Sequence, residues 1–407
     1  MGSGMRLFLA TATTLALAAC GDVSTPATPD AGELDAPIVE PDAAPDPDAL
    51  VAPCDVTGLP PFAPVPIVEQ QIAPSLTAAP GETINDTLGG TLKRHYLVVP
   101  GAGQPRPERA LLWLAGSGAE PYHFTKVLGI AAAAGYVGIS LAYDNEVSVG
   151  DLCSSTTVLR CNNRINHTCG DEVRHELLYG DGVYDSPCLV VPRADSIEHR
   201  AVRLVQYLDG MFPMLGAAQF LDGSGTGLAW HKWAIGGWSQ GGGHAGILAR
   251  EHLVARALYL SKGGDSVPCP FTTADPDRDC DVDGDGVFDS ANLDELLIPA
   301  PDTFLARRTP GERQFGAVHE AEAAWGYSGE TFEAYGMGAE ADTVRVDGLT
   351  TYDQFQCRNV FSTVAVPASD PNDFHISMAV DGAMAVDGNG VPVLAPMIFY
   401  ALAVPVR

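Results

Sequence analysis

Ser239 has the setting in this chain that best suits covalent chemistry. It stands in Trp233-Ala-Ile-Gly-Gly-Trp-Ser239-Gln240-Gly241-Gly-Gly-His244, an apolar run entering Gly237-x-Ser239-x-Gly241 and leaving through small residues that open a helix. Strand, turn and helix in that order are what a nucleophile elbow requires, because the chain reverses at the serine and its neighbours must be almost free of side chain. With 44 Gly in 407 residues the bare pattern is weak. The strand before it and the helix after it make it informative. A serine hydroxyl attacks only when a base removes its proton and an acid holds that base. Four histidines follow Ser239, namely His244, His252, His319 and His375. The first two share the helix after the elbow and His319 ends a strand, whereas His375 lies on a loop beyond the last predicted strand and is the candidate base. For the acid, the strand 314–318 runs into His319-Glu320-Ala321-Glu322, which makes Glu322 the first choice and Glu320 the second. Asp265, after the strand 257–260, is a third. Attack on a carbonyl creates an oxyanion that needs N–H donors already aimed at it. The backbone of Gln240 and of Ser117 are the candidates, the latter in the turn Gly116-Ser117-Gly118. Trp238, beside the nucleophile, reads equally as pocket floor or as core.

The elements that must position these residues alternate. Thr83 to Asp86 and Arg94 to Val99 read as opening strands, and Ala110 to Leu114 as a buried strand ending at the Gly116 turn. A helix through Leu128 to Ala134 leads to the strand Tyr136 to Tyr143. Asp195-Ser196-Ile197-Glu198 is a capping-box signature, with Asp195 as the cap of a helix running to about Asp209. After the elbow come a helix from Gly242 to His252, strands at 257–260 and 314–318, and a last strand at Val360 to Val366. Apolar strands alternating with helices imply an α/β fold, a doubly wound, mostly parallel sheet covered on both faces. Residues 144–194 break the rhythm with four cysteines and no long periodic run, so they read as a disulfide-pinned insertion. A second insertion, about 266–310, is acidic.

Within it lies Asp275-Pro-Asp277-Arg-Asp279-Cys-Asp281-Val-Asp283-Gly-Asp285-Gly286-Val287-Phe-Asp289. Carboxylates at alternate positions and a glycine for the sharp turn suit a calcium ion. Asp281, Asp283, Asp285, the Val287 carbonyl and Asp289 are the candidate ligands. Asn292 takes the place of the closing Glu of a full EF-hand loop, so the affinity for calcium would be modest; the ion's role would be structural, folding the insertion, and no cofactor is expected for catalysis.

The N-terminus reads as targeting rather than fold. Met5-Arg6 begins a short apolar run ending in Leu17-Ala18-Ala19-Cys20-Gly21. This resembles a bacterial lipoprotein signal, which implies cleavage before Cys20 and a lipid on its thiol. Gly21 in place of Asp points, in such families, to the outer membrane or cell surface. Residues 21–53 then form a Pro/Asp/Ala tether, with eight carboxylates and no Lys or Arg between 22 and 49. The globular part is expected over 54–407. Beyond Cys20 an even set of eight cysteines remains, as suits disulfides in an exported chain. A net charge of −28 repels phosphate backbones and anionic lipid headgroups, which excludes nucleic acid and leaves the N-terminal lipid as the contact with membrane.

The run Gly237-Trp238-Ser239-Gln240-Gly241-Gly242-Gly243 is similar to the elbow of secreted bacterial cutinase-like and polyester hydrolases, which carry Met at the position of Gln240. With Gly116-Ser117-Gly118 and the late His375-Ile376-Ser377-Met-Ala-Val-Asp381, the chain resembles the α/β-hydrolase superfamily over roughly residues 83–404. The resemblance implies a serine hydrolase, of esterase or lipase type, with Ser239, His375 and a carboxylate as its triad. It also implies a small-molecule or polymeric ester as substrate; a monomer is expected. A degenerate binding lipoprotein, or a peptidase or thioesterase on the same triad, is the alternative.

Overall fold

The computed structural model describes residues 56–268, 297–322, 325–349, 351–366 and 373–405. The leader with Cys20, the tether, and the acidic loop with Asp281, Asp283, Asp285, Val287 and Asp289 lie outside the described residues. The chain divides into Met1–Ala52 and Pro53–Arg407, and the described residues belong to the second unit.

The sheet begins at an edge strand that has no sequence counterpart above, Ile67–Ile72 (β1), largely exposed and therefore without an apolar run to betray it. In place of the expected strand 83–86 there is a small hairpin of Thr87–Leu88 (β2) and Thr91–Leu92 (β3). The central strands follow as His95–Pro100 (β4), Arg109–Leu114 (β5) and Tyr136–Ser140 (β6). Next come Trp233–Trp238 (β7) and Arg256–Leu260 (β8). Ser266–Pro268 (β9) and Leu297–Pro299 (β10) pair outside the main sheet. Gln314–His319 (β11), Val344–Arg345 (β12) and Val360–Thr363 (β13) complete it. The nine-stranded order is β1-β4-β6-β5-β7-β8-β11-β13-β12, antiparallel at β1/β4 and β4/β6 and parallel from β6 onwards. This is the α/β, mostly parallel sheet that the alternation of strands and helices implies. Leu111, Leu112, Trp113 and Leu114 of β5 are wholly buried, each burial contributing about 2 kcal/mol. Both faces of the strand are covered, which is why it reads as a continuous apolar run.

Helix Thr125–Ala133 (α1) connects β5 to β6. The single turn Val149–Leu152 (α2), Cys169–Tyr179 (α3) and Ile197–Met211 (α4) precede β7, and Gln240–Glu251 (α5) follows it. Trp325–Ala334 (α6), the single turn Phe374–Ser377 (α7) and the apolar Ala395–Ala403 (α8) come last. From β5 the chain moves one way to β6 and, after α4, returns to the other side at β7. Right-handed crossovers in opposite directions put α1 and α5 on opposite faces and open a crevice between the ends of β5 and β7. Among the described residues no helix is long and apolar enough to cross a membrane.

Two expectations need correction. Asp195 does not cap α4; the N-cap is Ser196 without a side-chain bond, and Asp195 accepts from the Asn85 backbone (2.9 Å) and from Arg200 (2.6 Å). A buried Arg outcompetes the local cap because a charged pair is worth more than a neutral cap bond. The insertion 144–194 is not devoid of regular structure, since α3 is an 11-residue helix. Its buried face holds Arg174 and Glu176 as well as Val173 and Leu177, so no apolar stripe marks it. Disulfides Cys153–Cys169 and Cys161–Cys188 tie this segment together.

Candidate active site

Strand register brings the site residues to one edge. Leu114 pairs with Gly237, so two residues further on Gly116 and Ser239 leave their strands side by side. Trp238 pairs with Leu260, and Leu260 with Ala317, so the chain leaves β7, β8 and β11 at about the same level. Ser239 has φ 55° and ψ −122°, a conformation that costs a non-glycine residue about 1–3 kcal/mol and that the surrounding contacts must hold. The Ser239 N–H donates to the Leu260 carbonyl at 3.0 Å. Gly237 and Gly241 serve the reversal directly: a Cβ on Gly237 would lie 2.2 Å from the Gly241 carbonyl carbon, and one on Gly241 would lie 2.0 Å from the Leu114 oxygen. Ser239 itself is partly exposed at the tip of this turn.

His375 opens toward solvent on α7 with its side chain 40% exposed, and its Nδ1 meets Glu322 Oε1, whose side chain is 4% exposed. Trp238 supports that imidazole. Its ring lies 4.9 Å from the His375 ring at 40°, and its Nε1–H donates to the His375 carbonyl at 2.8 Å. Phe124 backs the indole at 6.1 Å. The residue before the elbow serine is thus the platform on which the histidine rests, a third role beside the two its sequence allows.

The three acid candidates go to different partners. Glu322 faces His375 and is held by the His319 N–H at 3.2 Å to its other oxygen. The His319 Nδ1 accepts from the Ala321 N–H at 3.0 Å, and its ring stacks on Phe374 at 4.3 Å, which joins the acid turn to the histidine turn. Burial pushes the His319 imidazole down against the raising effect of Glu322. Glu320 turns to the surface, accepting from Arg345 Nε at 2.7 Å and Ser362 at 2.8 Å. Asp265 is taken by Arg174, with Nε and Nη2 contacts of 2.5 and 2.6 Å. Burial raises the Asp265 carboxyl, but the Arg174 charge and its two bonds outweigh it and hold the group well below the usual carboxylate range.

Beside the Ser239 turn lies the Gly116 turn. A Cβ on Gly116 would stand 3.0 Å from Ser239 Cβ and 2.5 Å from the Trp238 ring, so glycine is what lets the two strand exits touch. Asn145 grips the turn, donating to the carbonyls of Gly116 and Ala119 and accepting from Gly118 N–H at 2.7 Å. The Gln240 N–H is the first of α5, next to Ser239, and has no intrahelical acceptor.

Sequence reasoning missed Asn145, Asp381 as an anchor, and Arg174. The Asp381 carboxylate accepts from the Thr125 and Lys126 N–H groups at 2.8 Å each, so it caps α1 and ties the histidine loop to the β5 exit. Its spacing after His375 was the signal. Arg174 donates to the Gln240 carbonyl at 2.6 Å and lies 3.3 Å from His244 Nδ1, beneath the elbow. No local pattern could have found it, since it arrives from the disulfide-tied segment 91 residues before Asp265. Among the described residues no cluster of His, Cys, Asp and Glu could hold a metal ion.

No family model matches the chain, and no curated protein matches it. Solved structures similar to it include a thermostable esterase from Pseudomonas putida and a mutant of the esterase rPPE. Each is 12% identical, with 85% of both chains covered and a TM-score of 0.35.

Proposed function

We propose that this protein is a serine hydrolase that cleaves carboxylic ester bonds through an acyl-enzyme. The observation that carries the reading is Ser239 at positive φ on a strand-to-helix turn, with the His375–Glu322 pair resting on the adjacent Trp238. In this reading Ser239 Oγ attacks the substrate carbonyl while His375 Nε2 takes its proton, and Glu322 steadies the imidazolium. The N–H groups of Gln240 and Ser117 receive the oxyanion. Collapse of the tetrahedral species expels the alcohol, which takes the proton from His375. Water then enters by the same route and releases the acid and free Ser239.

The leader is read as that of an exported lipoprotein anchored through Cys20, with the acidic tether holding the enzyme off the membrane. The loop around Asp281 to Asp289 is read as a calcium-bound insertion. Ser239→Ala tests the reading. It is expected to abolish turnover of short p-nitrophenyl esters and labelling by a fluorophosphonate while the melting temperature stays within a few degrees. Unchanged turnover sinks it, absent labelling of the parent protein favours a binding role, and faster cleavage of amides or thioesters reassigns the bond.

A further inference from the structure

We propose that the Gln240 side chain is a positioning residue that sets the spacing of the two oxyanion donors. The inference rests on the hydrolase reading and goes beyond it by assigning a side-chain role next to the nucleophile. Gln240 is 4% exposed, and its amide oxygen is committed to two donors. Its Oε1 accepts from Ser117 Oγ at 2.8 Å and from the Val149 N–H at 3.0 Å. The Val149 donor identifies that atom as the amide oxygen, because a backbone N–H cannot bond an NH2 group as acceptor. Val149 N–H is the first of α2, and the Ser148 side chain bonds Asp151 N–H instead, so without Gln240 it would be a buried orphan. Ser117 carries the second proposed oxyanion N–H on its own backbone. One side chain therefore ties the β5 exit at Ser117 and the start of α2 to the residue after the elbow serine, and fixes the Ser117 backbone relative to the Gln240 backbone N–H. The other end of the residue is fixed too, since Arg174 holds the Gln240 carbonyl. Donors pinned on both sides need no reorganisation when charge develops, which is the condition for strong oxyanion stabilisation.

The alternative is that the amide only fills space. Steady-state kinetics on a p-nitrophenyl ester separate the two. Gln240→Met is expected to lower kcat about 10- to 100-fold with KM within about threefold, the pattern of lost transition-state stabilisation. Ser117→Ala, a change at an exposed side chain with little folding risk, is expected to lower kcat in the same direction. Ser117→Thr, which keeps the hydroxyl, is expected to restore it. Adding Ser117→Ala to Gln240→Met is expected to cost no more than Gln240→Met alone, because both break one linkage. A Gln240→Met enzyme with parental kcat, or losses that multiply in the double variant, overturns the inference while leaving the hydrolase reading intact. A parent protein that neither turns over esters nor reacts with a fluorophosphonate overturns both.

Discussion

Replacing Arg174 by Met removes a buried cation of similar length and leaves Asp265 buried beneath the elbow. Arg174 is 1% exposed and Asp265 7%, and the pair shares two hydrogen bonds. Breaking such a pair from one side costs about 3–5 kcal/mol, because the remaining charge is left without its partner. Lys262, 3.5 Å from Asp265, still offers partial compensation, which places the expectation near the lower end, about 3 kcal/mol. For a unit of this size that is a fall in Tm of about 5 °C. The pH dependence identifies the cause. In the parent the Asp265 carboxyl is held down, so its contribution to stability is present above the ordinary carboxylate value and is lost as pH falls toward the folded value. In the variant burial dominates and raises the same carboxyl, so the variant loses stability as pH rises above about 4. The gap between the two proteins must therefore widen from pH 4 to pH 7. Denaturant unfolding followed by fluorescence at both pH values measures it. The double variant Arg174→Met with Asp265→Leu removes both charges and is expected to recover most of the loss. A single variant within about 1 kcal/mol of the parent at pH 7, or a gap that does not change with pH, refutes the reasoning.

If the proposed hydrolase reading holds, Glu322→Gln keeps a hydrogen bond to His375 but loses the charge that would steady the imidazolium, so kcat on an ester is expected to fall about 10³-fold or more, while Glu320→Gln changes it less than about twofold. Comparable losses from the two would return the acid assignment to open choice. Asp302 presents the opposite case to Asp265. Burial, then the charges of Asp265 and Asp171, raise its carboxyl from 3.8 to about 6. Such a group costs stability as pH rises through that interval, about 3 kcal/mol when complete, so Asp302→Asn is expected to raise Tm at pH 8 and not at pH 4. Equal effects at both pH values would count against it. Cys153→Ala with Cys169→Ala opens a loop with a sequence separation of 16 and is expected to destabilise by about 2–3 kcal/mol. Because this loop delivers α3 and its Arg174, ester turnover should fall as well; stable, fully active protein would show that the segment is dispensable.

The chemistry of the turn at Ser239 is legible locally. The reversal at Ser239, itself at positive φ, brings backbone so close to Gly237 and Gly241 that only glycine fits at either, so the demand is written into adjacent positions. The apolar runs of β5, β7 and β8 are legible for the same kind of reason, since a strand buried on both faces must be apolar throughout. Edge strand β1 and the buried, charged helix α3 were not, because neither presents a one-sided apolar pattern. By itself the sequence determined the turn at Ser239, the alternation of the central strands with helices, and a set of three carboxylates at strand exits. Only the tertiary structure decided that Glu322 meets His375, that Glu320 turns to Arg345 and that Asp265 is consumed by Arg174. Turn geometry depends on neighbours along the chain, whereas a carboxylate's partner depends on which distant segment the fold lays against it. The elbow belongs to the first kind, and its acid, its Trp238 platform and its Gln240 linkage to the second.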